Sequence, residues 1–201
     1  MYDVPRPASN GDKPAARSEG SDLHNPLSHA SGQDPHNDFA RLLCSALSAR
    51  TVVELQARDG ATTAALAAVV QATGGRVISI GDPSVLNSID DRLSAEALTG
   101  VAELVAVDSV EPCPSMVPAE IDVVLVTPPA QPTDRFLALL SVLTARLRNG
   151  GVLFSSSRAA WYAAYVRDPA HGFRTSLSPL GAISLWPRSA KSPLTRRTLV
   201  L

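Results

Sequence analysis

From residue 38 onward the apolar positions of the chain switch back and forth between two periods. In NDFARLLCSALSAR, residues Phe39, Leu42, Leu43, Ala46 and Leu47 recur at helical intervals, which predicts a helix capped by Asn37 or Asp38. TVVEL reads as a strand, and ATTAALAAVVQAT as a helix closed by Gly74-Gly75. RVISI predicts a second strand and SVLNSIDDRLSAEAL a second helix ending at Gly100. AELVAVD predicts a third strand, and IDVVLVT a fourth after the proline-rich EPCPSMVP. TDRFLALLSVLTARL predicts a helix ended by Asn149-Gly150-Gly151, with VLFSS as the fifth strand.

Several of these strands are continuously apolar, as expected of strands covered on both faces by helices. Strand–helix repetition with short connections predicts a doubly wound, mostly parallel α/β sheet of Rossmann-like type. The last third departs from the rhythm. SRAAWYAAYV predicts a helix, and FRTSLSPL and GAISLWP predict an antiparallel hairpin at the sheet edge, which would make seven strands. TRRTLVL is an alternative last strand, and the pattern alone does not separate the two.

Residues 1–37 are rich in Pro, Ser, Asn, Asp, Gly and His and lack clustered aliphatics. Such a segment cannot bury enough apolar surface to offset chain entropy, so it is expected to be a disordered tail before a domain at 38–201. His24, His29 and His36 fall within it at spacings that match no compact metal set. The net charge of −1 gives no electrostatic case for nucleic acid or an anionic membrane. The start, MYDVPRPASN, has no apolar run of signal-peptide length, and Ala64–Val70 is far too short to span a bilayer. With only two cysteines, Cys44 and Cys113, a reducing cytoplasmic setting is expected, and Cys44 reads as a packing residue.

In a doubly wound sheet, ligands collect where strands end. Those ends are Glu54 with the turn QARDGATT, Gly81-Asp82, Asp108-Ser109, Thr127 and Ser155. Acids at the first three suit a ligand with an ammonium group and ribose hydroxyls, and suit a polyphosphate poorly. Neither a G-x-x-x-x-G-K-[ST] nor a G-x-G-x-x-G sequence is present. His171 is the one histidine after the tail and the only imidazole candidate for a base there.

These segments, in this order, resemble class I S-adenosylmethionine-dependent methyltransferases, particularly small-molecule O-methyltransferase-like members. The first turn of that family commonly runs E-[IL]-G-x-x-x-G-x-[ST]-T. ELQARDGATT matches at Glu54, Leu55, Gly60, Thr62 and Thr63 and departs at Gln56. GGRVISIGDPS matches the second-strand pattern with Gly81 as an additional residue, and VAVDSVE, IDVVLV and LRNGG match later pieces. The resemblance covers residues 38 to 187. It implies S-adenosylmethionine as cofactor and methyl transfer to a small-molecule oxygen acceptor.

Residue by residue, the resemblance implies that Glu54 shapes the turn or approaches the methionine ammonium. Gly60 would let the backbone pass close to the ligand. Thr62 would bond its carboxylate, unless it is a plain helix cap. Asp82 would hold the ribose hydroxyls, or serve only as a turn acid, and Asp108 with Ser109 would border the adenine. Gln56 would lie against the methionine portion. Metal-dependent members carry an acid where this chain has Thr127, so metal independence is expected. TPPA at 127–130 is a distant match to [ND]-P-P-[YFW], without its amide or its aromatic face. The expected partner is a small-molecule substrate, with no nucleic acid or membrane, and a homodimer stays open. Gln56, Thr127 and Gly81 also leave open a degenerate member with a binding or regulatory role, and a nucleotide-linked enzyme of another Rossmann type is a further alternative.

Overall fold

Strand β1 (Thr51–Ala57) is the strand from which the sheet is laid down in both directions. The chain first moves outward through β2 (Arg76–Gly81) to β3 (Ala102–Ala106), then returns to the other side of β1 with β4 (Ile121–Val126) and β5 (Leu147–Ser155). All neighbours in the order β3-β2-β1-β4-β5 are parallel. Beyond β5 lie β7 (Gly181–Leu185), antiparallel to it, and β6 (Arg174–Ser178), antiparallel to β7. The computed structural model describes residues 35–58, 60–107, 117–155, 159–178 and 181–185. The chain divides after Gly32, and all described residues belong to the second unit, Gln33–Leu201. The segment TRRTLVL lies outside the described residues.

The unbroken apolar strands have a direct cause in the layering. Val52 of β1 packs with α1 (Pro35–Ala46), α2 (Ala61–Gln71) and α3 (Pro83–Ala95), whereas Val53 and Leu55 pack with α4 (Asp134–Ala145) and α5 (Ala160–Arg167). Side chains alternate across a strand, so covering both faces demands apolar residues at successive positions. Every residue of β4 is buried, including Asp122.

Asp122 stands at the amino-terminal end of β4, and its carboxylate joins four segments. Its Oδ2 accepts from the backbone N–H groups of Arg50 and Thr51 at 2.7 and 2.8 Å. Its Oδ1 pairs with Nε of Arg148, whose Nη2 reaches the Leu47 carbonyl at 3.3 Å. A mostly buried carboxylate is tolerated here because its lone pairs are met by donors.

Several boundaries differ from the sequence-based expectation: β1 runs past Leu55 to Ala57, α3 stops at Ala95 short of Leu98, and two others move site or clamp residues into new elements. Helix α1 begins at Pro35 rather than after Asn37, with proline in the first turn where a missing N–H costs nothing. Asn37 therefore lies inside the helix and its side chain serves another element. Helix α4 ends at Ala145, and Asn149-Gly150-Gly151 belong to β5 instead of stopping the helix. Leu147 pairs with Ile121 and Val152 with Val123, so residues between them bulge outward, with Gly150 at φ 80°. The bulge is where Arg148 turns back to Asp122.

Candidate active site at the strand ends

The order β3-β2-β1-β4-β5 places the reversal of winding between β1 and β4, and the crevice that binds ligands in such sheets opens at the carboxyl ends of those strands. The two ends are tied there, the Thr127 N–H donating to the Leu55 carbonyl at 3.0 Å.

Gln56 occupies this reversal point with φ at 66°, in the left-handed region that costs a residue with a Cβ about 1–2 kcal/mol. Leu55 pairs with Ile80 and Ala57 with Gly81, so Gln56 is the extra residue of a bulge in β1. That pairing also accounts for Gly81, the additional residue in the second-strand pattern. It lies opposite Ala57, and a Cβ on it would stand 3.4 Å from the Ala57 Cβ and 3.3 Å from Leu86.

Gly60 is the N-cap of α2, at φ 72° and with no side-chain cap bond. A Cβ there would lie 3.2 Å from both Cα and Cγ1 of Ile89 in α3. The crowding that requires glycine is thus packing of the turn against α3. Gly60 itself contributes no side chain to the cap, and the amino end of a helix is the end whose dipole favours an anion. Thr62, in that first turn, donates its hydroxyl to Oδ1 of Asn37 at 2.7 Å and so spans to α1.

Glu54 is buried beneath the same turn, 2% exposed. Its Oε2 accepts from the Thr63 hydroxyl at 2.5 Å and the Ser79 hydroxyl at 2.8 Å. Ser79 is its direct cross-strand partner on β2, and Thr63 comes down from α2. Of the two roles implied for Glu54, shaping the turn is the one these contacts serve.

Asp82 follows β2 and caps α3, accepting at Oδ1 from the backbone N–H of Ser84 at 2.8 Å and its hydroxyl at 2.5 Å. These bonds, the hydroxyl's first, hold its carboxyl below the usual carboxylate range. The residue is exposed. Asp108 and Ser109 lie outside the described residues.

On the other side of the reversal, β4 runs into Thr127-Pro128-Pro129-Ala130. The indole N–H of Trp161, in the first turn of α5, donates to the Pro129 carbonyl at 2.8 Å. The Trp161 ring meets Phe136 of α4 edge-on, centroids 5.6 Å apart. His171 is elsewhere. It follows α5, which starts from the strand-end side and runs back along the sheet, and it stacks on Tyr165 with centroids 4.0 Å apart. Tyr165 in turn meets Thr144 at the end of α4, so the imidazole sits toward the amino ends of the strands, opposite the crevice. Cys44 is buried in α1, and burial, with a smaller push from the Asp122 charge, raises its thiol to about 12. Among the described residues no group of three His, Cys, Asp or Glu side chains is placed to hold a metal ion.

Ser79 is not singled out by the sequence reading, and Thr63 enters there only as a motif match. Both are buried, Ser79 on β2 and Thr63 on α2, at positions that pattern alone assigns to core, and a polar residue there calls for a partner. Asn37 was read only as a cap.

No protein-family model matches the chain, and no curated protein matches it in sequence. Solved structures do match. A methyltransferase from Geobacter sulfurreducens superposes with a TM-score of 0.61 at 15% identity, over 82% of this chain and 93% of its own. An rRNA methylase from Streptococcus thermophilus gives 0.58 at 15% identity, over 80% and 100%. The O-methyltransferase TomG from Streptomyces achromogenes, solved in complex with SAM, gives 0.53 at 17% identity, over 78% and 82%. The chain shares the fold of class I S-adenosylmethionine-dependent methyltransferases.

Proposed function

We propose that this chain is an S-adenosylmethionine-dependent methyltransferase that transfers a methyl group, without a metal, to a small-molecule oxygen acceptor. The observation that carries the proposal is the backbone at Gln56. The end of β1 holds Gln56 in the left-handed region at the reversal point, where the resembling family commonly has glycine. Strain of this kind persists where the surrounding structure demands it and gathers at ligand sites. The group fits what is present. The amino end of α2 would take the methionine carboxylate, and Asp82, exposed and with Oδ1 engaged, would turn its second oxygen to the ribose hydroxyls. Asp108 and Ser109 are proposed to border the adenine.

When bound, this cofactor supplies a methyl on a sulfonium, open to in-line displacement. The protein's contribution is then to hold the cofactor and acceptor in line, which accounts for much of the acceleration in such a reaction. Thr127 at the end of β4 offers a hydroxyl where metal-dependent members have a carboxylate, which supports metal independence. In this reading β6 and β7 complete a seven-stranded sheet with an antiparallel C-terminal hairpin. The protein is proposed to work in the cytoplasm on a small molecule, as a monomer or homodimer.

The Gln56 side chain favours one second reading, a degenerate member that keeps the fold and acts as a binding or regulatory protein. Calorimetry with S-adenosylhomocysteine tests the site itself. Ligand at about 100 times its dissociation constant should stabilise the fold by about 2.7 kcal/mol. No heat and no shift in melting at millimolar ligand would remove the enzyme reading. Binding without turnover of any acceptor would select the second. Turnover lost on chelation and restored by magnesium would end the claim of metal independence.

A further inference from the structure

Strand β3, last in the described sheet on its side, carries a groove along its whole length. Ala102, Leu104 and Ala106 line it at two-residue intervals, and Pro83, Leu86 and Asp90 of α3 form the facing wall, around about 470 Å³. Leu86 is buried and the three β3 residues are half-buried, so the floor is apolar. Asp90 is exposed, and because α3 descends as β3 rises it stands toward the Ala102 end. The Val77 N–H bonds the Val101 carbonyl, and the Val107 N–H bonds the Gly81 carbonyl, so odd-numbered residues turn to β2. By alternation the backbone groups of Ala102 and Leu104 point away from it. An open strand edge with an apolar groove alongside is the geometry onto which a further strand docks. One strand pattern of the sequence, TRRTLVL at 195–201, lies outside the described residues. Laid parallel to β3, it sets Arg197 beside Asp90, Leu199 between Leu86 and Leu104, and Leu201 between Pro83 and Ala106, on the same two-residue repeat. The reverse direction would put a leucine on Asp90.

We propose that this groove receives residues 195–201 of a second copy of the chain, as a parallel strand added to β3. Reach decides against the chain's own segment. Leu185 ends β7 opposite Val152, near the amino edge of the parallel strands. Six strand spacings separate β7 from the position outside β3, roughly 29 Å. Ten residue steps from Leu185 to Thr195 cover at most about 33–36 Å fully extended. The connection would have to run nearly straight across the turns that enter every strand between. A second copy has no such limit, and exchange in both directions gives each dimer two docked strands. The proposal does not rest on the methyltransferase reading.

Sedimentation velocity of the full chain at micromolar concentrations should show a monomer–dimer equilibrium, and deletion of residues 195–201 should leave a folded monomer. Asp90→Arg should weaken the dimer roughly tenfold, because the charge pair occurs twice in it. Arg197→Asp in the same chain should restore most of that loss. Asp90 is exposed, so its replacement leaves the core of the fold untouched. Cross-linking identifies which copy supplies the strand. Asn87 lines the groove and is exposed, and Cys44 is buried, so Cys113→Ser removes the competing thiol. In that background, chains carrying Asn87→Cys are mixed with chains carrying Leu199→Cys and mildly oxidised. A disulfide joining the two kinds of chain is the expected result. A monomer at every concentration, a dimer that survives the deletion, or a link that closes within one chain when both substitutions share it would each overturn the proposal.

Discussion

The Thr63 hydroxyl lies 2.5 Å from the Glu54 carboxylate, a helix bonded to the strand it covers across the turn between them. With Ser79 on the neighbouring strand, the carboxylate joins β1, β2 and α2 at one buried oxygen. Removing a donor leaves that oxygen under-satisfied in a place water does not reach. Thr63→Val should therefore cost about 1–3 kcal/mol, and Ser79→Ala a similar amount. The two changes should not add, because they share one acceptor. Urea unfolding of both singles and the double checks this. Silent singles would show that Glu54 does not depend on its hydroxyl partners, and additive losses that the two hydroxyls act independently.

Gln56→Gly should tighten S-adenosylhomocysteine binding by roughly tenfold, or 1–2 kcal/mol. The left-handed backbone at this residue gives the prediction its footing. Glycine adopts φ 66° without the cost a Cβ imposes, and it removes a side chain from the reversal point. The stability change should be small, since glycine's greater freedom in the unfolded chain offsets the relief. Titration of wild type and variant side by side is decisive. Weaker binding by the glycine variant would mean that the carboxamide has become a ligand-binding group.

Gly60→Ala should destabilise the fold by about 1–2 kcal/mol from the left-handed φ alone. The 3.2 Å contacts with Ile89 add to this, and one of them is to main chain that cannot swing aside. Thermal melts of Gly60→Ala in the wild type and in an Ile89→Ala background, which removes Cγ1, separate the two contributions. The background should recover little of the Gly60→Ala loss, because it trims neither the Ile89 Cα nor the backbone conformation. Full recovery would place the whole cost in side-chain crowding.

Cys44 sets an alkaline limit. Its thiol titrates near 9.0 when unfolded and is pushed up to about 12 by burial in the fold. A pKa raised in the folded state gives a contribution fully present below pH 9 and lost as pH rises from there toward 12. Wild type should thus lose stability relative to Cys44→Ala on going from pH 8 to pH 10.5, by up to about 1.4 kcal/mol per pH unit. Guanidinium unfolding at the two pH values measures the difference. A constant gap would mean that Cys44 is reached by water.

The alternation of elements was readable because both faces of the sheet are covered, which forces apolar runs that no exposed strand shows. Two of the misplaced boundaries share a physical cause. Asn37 looks like a cap because its amide suits one, but tertiary packing offered it Thr62 instead. Asn149-Gly150-Gly151 looks like a helix stop, yet the helix had already ended at Ala145 and the glycines serve a bulge. In the site, the ends of β2, β4 and β5 could be placed from the sequence, and so could the departure at Gln56, whereas β1 runs on past Glu54, which the sequence marks as its end, to Ala57. The partners of Glu54 could not, because they come from two other elements and only the strand register brings them together. His171 was weighed as a base on residue type alone, and topology sends it to the wrong end of the sheet.

That register has a reference mark. Asp122 grips the N–H groups of Thr51, with which β1 begins, and of Arg50 just before it. From Thr51 to Gln56 the strand advances about 17 Å. A slip of a single residue would swing Glu54 to the opposite face, into the apolar layer of α4 and α5, and put Leu55 beneath Thr63. The clamp therefore acts as the zero of a ruler whose far end is the crevice. Damage to it would be felt at a distance, as a miscounted strand, in chemistry that Asp122 never touches.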